Sequence, residues 1–152
     1  MTNFEMILCA VDFSPASQAP LELAADLARR HRCQLTVAHV FEPPTATATD
    51  LLVSPPELFD AAVCDTEREL ERCRARAQEL SDRPIRSVLL KGAPAEALVE
   101  WAREHPCDLI VLGTHGRNGL ERFVLGSVAE KVVRTASCSV MVARPLATST
   151  GD

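Results

Sequence analysis

The sequence lacks the features that mark membrane, exported and nucleic-acid-binding proteins. No apolar run is long enough to cross a bilayer, so we expect no membrane span. The first residues contain neither a basic segment nor a long apolar one, which predicts no signal peptide and a cytoplasmic location. The formal net charge is −5, and nucleic acid is not the expected partner because its binding usually needs a basic face.

The six cysteines form no Cys-X-X-Cys motif. Hydrophobic residues make up 47% of the chain, which is enough to build a core without disulfide bonds. We therefore expect the cysteines to be small buried hydrophobic residues in a reducing compartment. An alternative stays open, namely a redox or metal cluster of Cys33, Cys107 and Cys138, which precede three predicted strands at one edge of a sheet.

Strand-like and helix-like patterns alternate along the chain. Apolar runs predict five strands, at 6–11, 35–40, 85–90, 108–112 and 139–143. The longest predicted helix covers 57–81, an irregular loop rich in Pro and Thr covers 41–56, and a frayed tail covers 146–152. Strands separated by helices predict a single α/β domain over the 152 residues, with a parallel sheet and helices on both faces.

The start of the first helix has two interpretations. If Ser14 caps it, Pro20 falls in the second turn, where proline bends a helix. If Ser17 caps it, Pro20 falls in the first turn, where the missing N–H costs little. The sequence leaves this boundary open.

A glycine-rich stretch follows the fourth predicted strand. It reads Gly113-Thr114-His115-Gly116, and Gly126-Ser127 comes after nine further residues, where the last helix starts. A strand, a glycine loop and a helix N-terminus together bind phosphate, because glycines let backbone N–H groups approach the anion and the helix dipole favours its charge. Ligands of such sheets bind at the carboxyl ends of the strands, where Asp12 ends the first strand.

Each residue of this candidate site also has a purely structural interpretation. Ser127 and Glu130 have the spacing of a capping box, and Asp12 could cap a helix or hold a loop. Arg117 and Arg122 could neutralise phosphate or simply be solvated; five Lys or Arg residues against two Glu over 113–144 favour an anion site. His115 has no nucleophile or orienting partner in the sequence pattern, so we expect no catalytic residue.

The glycine stretch is neither a P-loop nor a dinucleotide fingerprint. The pattern G-x-x-G, nine residues, G-S, with an aspartate ending the first strand, resembles the universal stress protein family, in its ATP-binding class. The resemblance covers nearly the whole chain, including the opening strand 7–12, the segment 108–117 and the ending 139–144. Phe13 departs from it, because many relatives carry a small residue there, and so does Pro20.

The resemblance implies a fold, a ligand and a dimer. It implies a doubly wound, Rossmann-like or flavodoxin-like sheet of five strands in the order 3-2-1-4-5, and a homodimer formed through Val140, Met141 and Val142. It also implies ATP, ADP or AMP as ligand, with Mg²⁺ or Mn²⁺ accompanying a triphosphate. The nucleotide-binding residues would be Ala10, Asp12, Val40, Leu112, Gly113, Gly116, Arg117, Gly126, Ser127 and Val128.

The leading hypothesis for function is an ATP-binding switch of the stress response that changes how a dimer meets an unknown regulatory protein. Two alternatives remain at this point: a nucleotide-free dimeric interaction module, and a weak ATP hydrolase. We expect no enzyme in the ordinary sense, and at most slow hydrolysis or autophosphorylation. A receiver domain fits the fold class but not the sequence, which shows no acidic cluster around a phosphoacceptor.

Overall fold

The structure is a computed structural model that describes residues 3–43, 56–114 and 125–145. Within these ranges no helix is long and apolar enough to cross a membrane. The predicted frayed tail lies outside the described residues, and so does most of the predicted irregular loop. Phe41 belongs to a strand and Pro56 to a helix, so the loop of 41–56 is shorter at both ends than the sequence suggested.

The described chain alternates strands and helices from its first element to its last. A short 3-10 turn at Pro15–Ser17 precedes the first helix. In chain order the elements are β1 (Met6–Ala10), α1 (Gln18–His31), β2 (Gln34–Phe41), α2 (Pro56–Ser81), β3 (Arg86–Lys91), α3 (Pro94–Glu104), β4 (Leu109–Gly113), α4 (Ser127–Thr135) and β5 (Ser139–Ala143).

The five strands form one sheet in the order β3-β2-β1-β4-β5, with every neighbouring pair parallel. Leu8 in the central strand lies between Thr36 of β2 and Ile110 of β4. The predicted fold class and strand order are therefore confirmed. Parallel pairing follows from the helices, since each crossover returns the chain to the same end of the sheet.

Helices cover both faces of the sheet. Ile7 and Cys9 point to the face packed by α1 and α2, whereas Leu8 points to the face packed by α3 and α4. All three residues have no exposed surface. Because alternate residues of β1 enter different cores, both must be apolar, and this explains the uninterrupted apolar run of the sequence.

The observed start of α1 decides between the two interpretations of where Pro20 lies in the helix. The 3-10 turn ends at Ser17 and α1 begins at Gln18, which puts Pro20 in the first turn of the helix. Pro20 is buried there and its missing N–H removes no hydrogen bond within the helix. At the other end, Arg32 adopts the left-handed conformation (φ 54°), which stops the helix and leads into β2.

Candidate functional site

A cavity of about 760 Å³ opens at the carboxyl ends of β1, β2 and β4. We call it the carboxyl-edge cavity. After β1 the chain passes to the face of α1, and after β4 it passes to the face of α4, so the strand order reverses between these two neighbours. A crevice forms at such a reversal because the two connections diverge. Its volume is in the range of small-molecule sites.

The structure brings eight of the ten predicted nucleotide-binding residues to the wall of this cavity. Gly116 and Arg117 lie outside the described residues. The eight come from three strand ends and the start of one helix: Ala10, Asp12, Val40, Leu112, Gly113, Gly126, Ser127 and Val128. Residues far apart in the sequence therefore share one cavity, as expected when parallel strands end at the same edge.

Several lining residues were not predicted from the sequence. They include Thr66 on α2, Glu42 after β2, and His39, Thr114, Ser17 and Pro94. Thr66 hydrogen-bonds the carbonyl of Ala62, 2.8 Å away in its own helix. The placement of α2 and α3 against the sheet brings Thr66 and Pro94 to the cavity, and no sequence motif distinguishes these two residues.

Three helix N-termini face the cavity. Ser17 lies at the N-cap of α1, Pro94 is the first residue of α3, and Ser127 is the first residue of α4. The positive ends of three helix dipoles thus meet at one place, which favours a bound anion.

The first turn of α4 differs from the predicted capping box. Gly126, with φ −60° and ψ 154°, is the N-cap residue, and no side chain caps the helix within the described part of the chain. Ser127 already belongs to the helix, and the carboxylate of Glu130 pairs with Arg134 instead of turning back. The capping-box interpretation of Ser127 is therefore wrong, because the cap position falls one residue earlier. Gly126 is fixed by its N–H, which donates to the carbonyl of Thr114 at 2.6 Å.

Asp12 organises the loop after β1. Its Oδ1 accepts hydrogen bonds from the backbone N–H of Ser14 at 2.9 Å, from the Ser14 hydroxyl at 2.5 Å and from the Ser17 hydroxyl at 2.6 Å. The Ser17 oxygen in turn accepts from the backbone N–H of Asp12 at 2.9 Å. The loop-holding interpretation of Asp12 is thus correct. It does not exclude a ligand role, since a carboxylate has about four acceptor positions.

Phe13 takes an unusual backbone conformation beside the cavity. Its φ is 64°, in the left-handed region that costs a bulky residue roughly 1–2 kcal/mol. Its ring stacks on His39, with centroids 4.1 Å apart and an interplanar angle of 25°. His39 Nδ1 lies 2.8 Å from the carbonyl of Val11 and donates to it, because a carbonyl only accepts. Phe13 is not among the lining residues, so it supports the wall through His39 rather than narrowing the cavity.

The positive charge expected around the glycine stretch is partly neutralised. Lys131 on α4 pairs with Glu96 on α3, and Arg134 pairs with Glu130 one turn earlier. Two of the five basic residues counted over 113–144 are therefore engaged with carboxylates. Arg117 and Arg122 lie outside the described residues.

The last strand forms one edge of the sheet. Val140 and Val142 of β5 pack against the core of α3 and α4, and Met141 packs against the opposite core. All three are half-buried within one copy of the chain. Within the described residues, β5 has a neighbouring strand on one side only, β4.

A comparison with known protein families decides the classification. The universal stress protein family matches residues 3–144. The chain belongs to the universal stress protein family. A universal stress protein of Thermus aquaticus is 35% identical over 93% of this chain and 99% of its own length. Among solved structures, the universal stress protein UspA of Lactobacillus plantarum superposes with a TM-score of 0.83 at 30% identity, covering 95% of this chain and all of the other.

Two more distant universal stress protein structures share the fold and hold adenine nucleotides. One is a complex with cAMP, with a TM-score of 0.73 and 23% identity over 94% of this chain and 98% of the other. The second, from Archaeoglobus fulgidus, is a complex with dAMP, with a TM-score of 0.67 and 22% identity over 94% of this chain and all of the other. Some structural neighbours of this universal stress protein therefore bind adenine nucleotides.

Proposed function

We propose that this universal stress protein binds an adenine nucleotide, primarily ATP, in the carboxyl-edge cavity. The observation that carries the proposal is the meeting of three helix N-termini with Gly113 and Gly126 around one cavity of suitable size. Such a site attracts phosphate without needing many basic side chains. The cAMP and dAMP complexes of two structural neighbours support an adenine nucleotide as the ligand.

Different lining residues would contact the phosphate, the adenine ring and the ribose of the nucleotide. Backbone N–H groups at Ser127 and Val128 would hold phosphate, and Gly126 and Gly113 would let it approach the backbone, together with the predicted contributors Gly116 and Arg117. The apolar surface of Ala10, Val40 and Leu112 suits the adenine ring. Asp12 would accept from ribose hydroxyl groups while it holds its loop.

The described residues do not offer a metal site of their own. No group of three His, Cys, Asp or Glu side chains that could hold an ion is present in 3–43, 56–114 or 125–145. A Mg²⁺ or Mn²⁺ ion would therefore depend on the phosphate oxygens of a triphosphate. No step of the proposed function relies on such an ion.

In this proposal the protein is a regulatory module of the cytoplasm rather than an enzyme. Nucleotide binding would change how a homodimer, paired along β5, meets a regulatory protein. Hydrolysis, if it occurs, would be slow. This part of the proposal rests on the family resemblance and on the position of β5 at the edge of the sheet.

The test of binding uses one atom of the helix N-terminus. Ser127→Pro removes the N–H of the first residue of α4, and proline is well tolerated at that position, after a residue with the extended ψ of Gly126. Ser127→Ala removes only the hydroxyl and keeps the N–H. A hydrogen bond to a charged group is worth roughly 1.5–3 kcal/mol, so we expect Ser127→Pro to weaken ATP binding about 10- to 100-fold.

The measurement is isothermal titration with ATP, ADP, AMP and cAMP, together with the nucleotide released on denaturing freshly purified protein. We expect Ser127→Ala to keep most of the affinity, and both variants to keep the melting temperature within a few degrees. Equal affinity in Ser127→Pro and the unaltered protein would contradict phosphate binding at α4. A protein that carries no nucleotide and binds none of the four would indicate the nucleotide-free interaction module.

A further inference from the structure

Two thiols lie on neighbouring strands at the amino edge of the sheet, opposite the carboxyl-edge cavity. Leu109 of β4 pairs with Ser139 of β5, and the N–H of Ser139 donates to the carbonyl of Asp108 at 3.2 Å. Cys138 therefore sits beside Asp108, and Cys107 is one residue further along. A strand spacing of about 4.8 Å and a rise of about 3.3 Å put the two Cα atoms roughly 6 Å apart. Disulfide bonds span about 4.4–6.8 Å.

The two cysteine side chains lie on the same face. Both are half-buried and pack against the core of α3 and α4. Cys107 precedes β4, and its N–H donates to the carbonyl of His105 at 2.7 Å. Its side chain therefore does not follow the alternation of side chains between the two faces of the sheet along β4. The Cys107 thiol donates to the carbonyl of Leu109 at 3.4 Å, and each of the two thiols affects the pKa of the other.

Cys33 does not join them. It precedes β2 at the same edge, but it packs into the opposite core, beneath α1 and α2. Within the part of the chain that the structure describes, no group of three metal-ligating side chains is present. The three-cysteine cluster considered from the sequence is therefore replaced by a pair.

We propose that Cys107 and Cys138 are a modification site that forms a reversible disulfide bond when a hydroperoxide oxidises the protein. This inference is independent of the proposed nucleotide binding.

The reaction balances with one hydroperoxide molecule. The Cys138 thiolate attacks the peroxide, the O–O bond breaks, an alcohol or water leaves with one proton, and a sulfenic acid forms on Cys138. Cys107 then attacks the sulfenic sulfur, the S–O bond breaks and the S–S bond forms. The hydroxyl takes the proton of the Cys107 thiol and leaves as water. The two sulfurs lose two electrons, and the peroxide oxygens gain them. A dithiol reductant reverses the change by thiol–disulfide exchange.

The surroundings of the two thiols affect the rate of this reaction and which thiol reacts first. Burial raises the pKa of Cys107 to about 12 and also raises the pKa of Cys138. Both thiols are therefore weakly ionised, and we assign the first attack to Cys138, whose pKa is shifted less. Since the thiolates are scarce at neutral pH, the bond forms slowly and its rate increases with pH up to at least pH 9.

The disulfide would close a loop that contains the start of α4. About 30 residues separate the two cysteines, and this stretch includes Gly113, Gly126 and Ser127. Restricting a loop of that length in the unfolded chain raises the melting temperature of a domain of this size by about 10 °C.

The test oxidises the full chain in a Cys64→Ser background, which removes the exposed thiol on α2. The protein is treated with hydrogen peroxide at pH 8, alkylated after denaturation and mapped by peptide mass spectrometry. We expect the loss of two free thiols, one intramolecular bond between Cys107 and Cys138, and a melting temperature about 10 °C higher that dithiothreitol reverses. Cys33→Ser, at the same edge, keeps the bond and is the matched control, whereas Cys138→Ser abolishes it.

Several results would overturn the proposal. A bond between Cys9 and Cys73, which both pack in the core of α1 and α2, would do so. Oxidation to sulfinic acid without a cross-link, or no thiol loss at all, would do so as well. If Cys138→Ser does not fold, the protein without substitutions is treated with dibromobimane instead. This reagent links neighbouring thiols, and we expect it to join Cys107 to Cys138. A product that joins other cysteines counts against the site.

Discussion

The two edges of the sheet have opposite chemistry. At the carboxyl edge the N-termini of α1, α3 and α4 surround a cavity, and Phe13 holds a left-handed backbone. At the amino edge the C-termini of the same helices lead into the strands through connections of two to four residues. Basic residues occupy the last turns there, at 29–31, 103 and 134. Parallel topology alone produces this contrast, since every helix runs the same way relative to the sheet.

Helix dipoles explain what each edge can bind. The positive N-terminal ends favour an anion such as phosphate at the carboxyl edge. The negative C-terminal ends disfavour a thiolate at the amino edge, and burial raises the pKa of Cys33, Cys107 and Cys138 there. The carboxyl edge is thus suited to binding an anionic ligand, whereas the amino edge holds short connections and thiols of raised pKa.

Asp108 provides the largest expected effect on stability. Its Oδ2 accepts from the backbone N–H groups of Glu5 at 2.6 Å and Met6 at 2.9 Å, joining β4 to the start of β1. Asp108→Ala leaves the part-buried N–H of Met6 without its acceptor and returns the exposed N–H of Glu5 to water, which lowers the free energy of unfolding by about 1–3 kcal/mol and the melting temperature by about 2–12 °C. Calorimetry measures the loss.

Asp108→Asn is the matched control for this change, because it keeps one acceptor oxygen and should lose about half as much. ATP affinity should stay within about twofold in both variants, since Asp108 lies at the edge away from the cavity. A tenfold fall in affinity would show that the two edges of the sheet are coupled.

Asp12 should affect both stability and binding. Asp12→Ala removes the acceptor for Ser14 and Ser17, and we expect a loss of about 1–2 kcal/mol in the free energy of unfolding and about tenfold in ATP affinity. Denaturant unfolding and titration measure the two effects. Ser14→Ala removes one donor of the loop and keeps the carboxylate, so its affinity should change little. Equal loss of affinity in both variants would assign Asp12 to loop structure alone.

Lys131 provides the smallest expected effect. Its pair with Glu96 is about half exposed on both sides, and exposed pairs contribute roughly 0–1 kcal/mol. Lys131→Ala should lower the free energy of unfolding by less than about 0.5 kcal/mol and change ATP affinity less than threefold. The matching Glu96→Ala change completes a double-mutant cycle. A large loss of affinity in Lys131→Ala alone would mean that the ammonium group serves the ligand rather than Glu96.

Much of the site could be predicted because strand ends are visible in a sequence. Apolar runs locate the ends of β1, β2 and β4, and parallel topology gathers Asp12, Val40 and Gly113 at one edge. Thr66 could not be found in this way, because its position depends on how α2 packs across the sheet. The capping box at Ser127 was wrong because spacing cannot tell which residue begins a helix, and Glu130 has a closer partner in Arg134.

The pattern of residues predicted the five strands and their parallel pairing, because strands buried on both faces need continuous apolar runs and the intervening helices need their own periodicity. The strand order came from the resemblance to the family. The packing of distant segments could not be predicted: Cys107 and Cys138 pack into one core and Cys33 into the other, and Phe13 stacks on His39. These facts depend on strand register and on local departures from strand alternation, where neighbours in space are set by packing between distant segments rather than by any pattern along the chain.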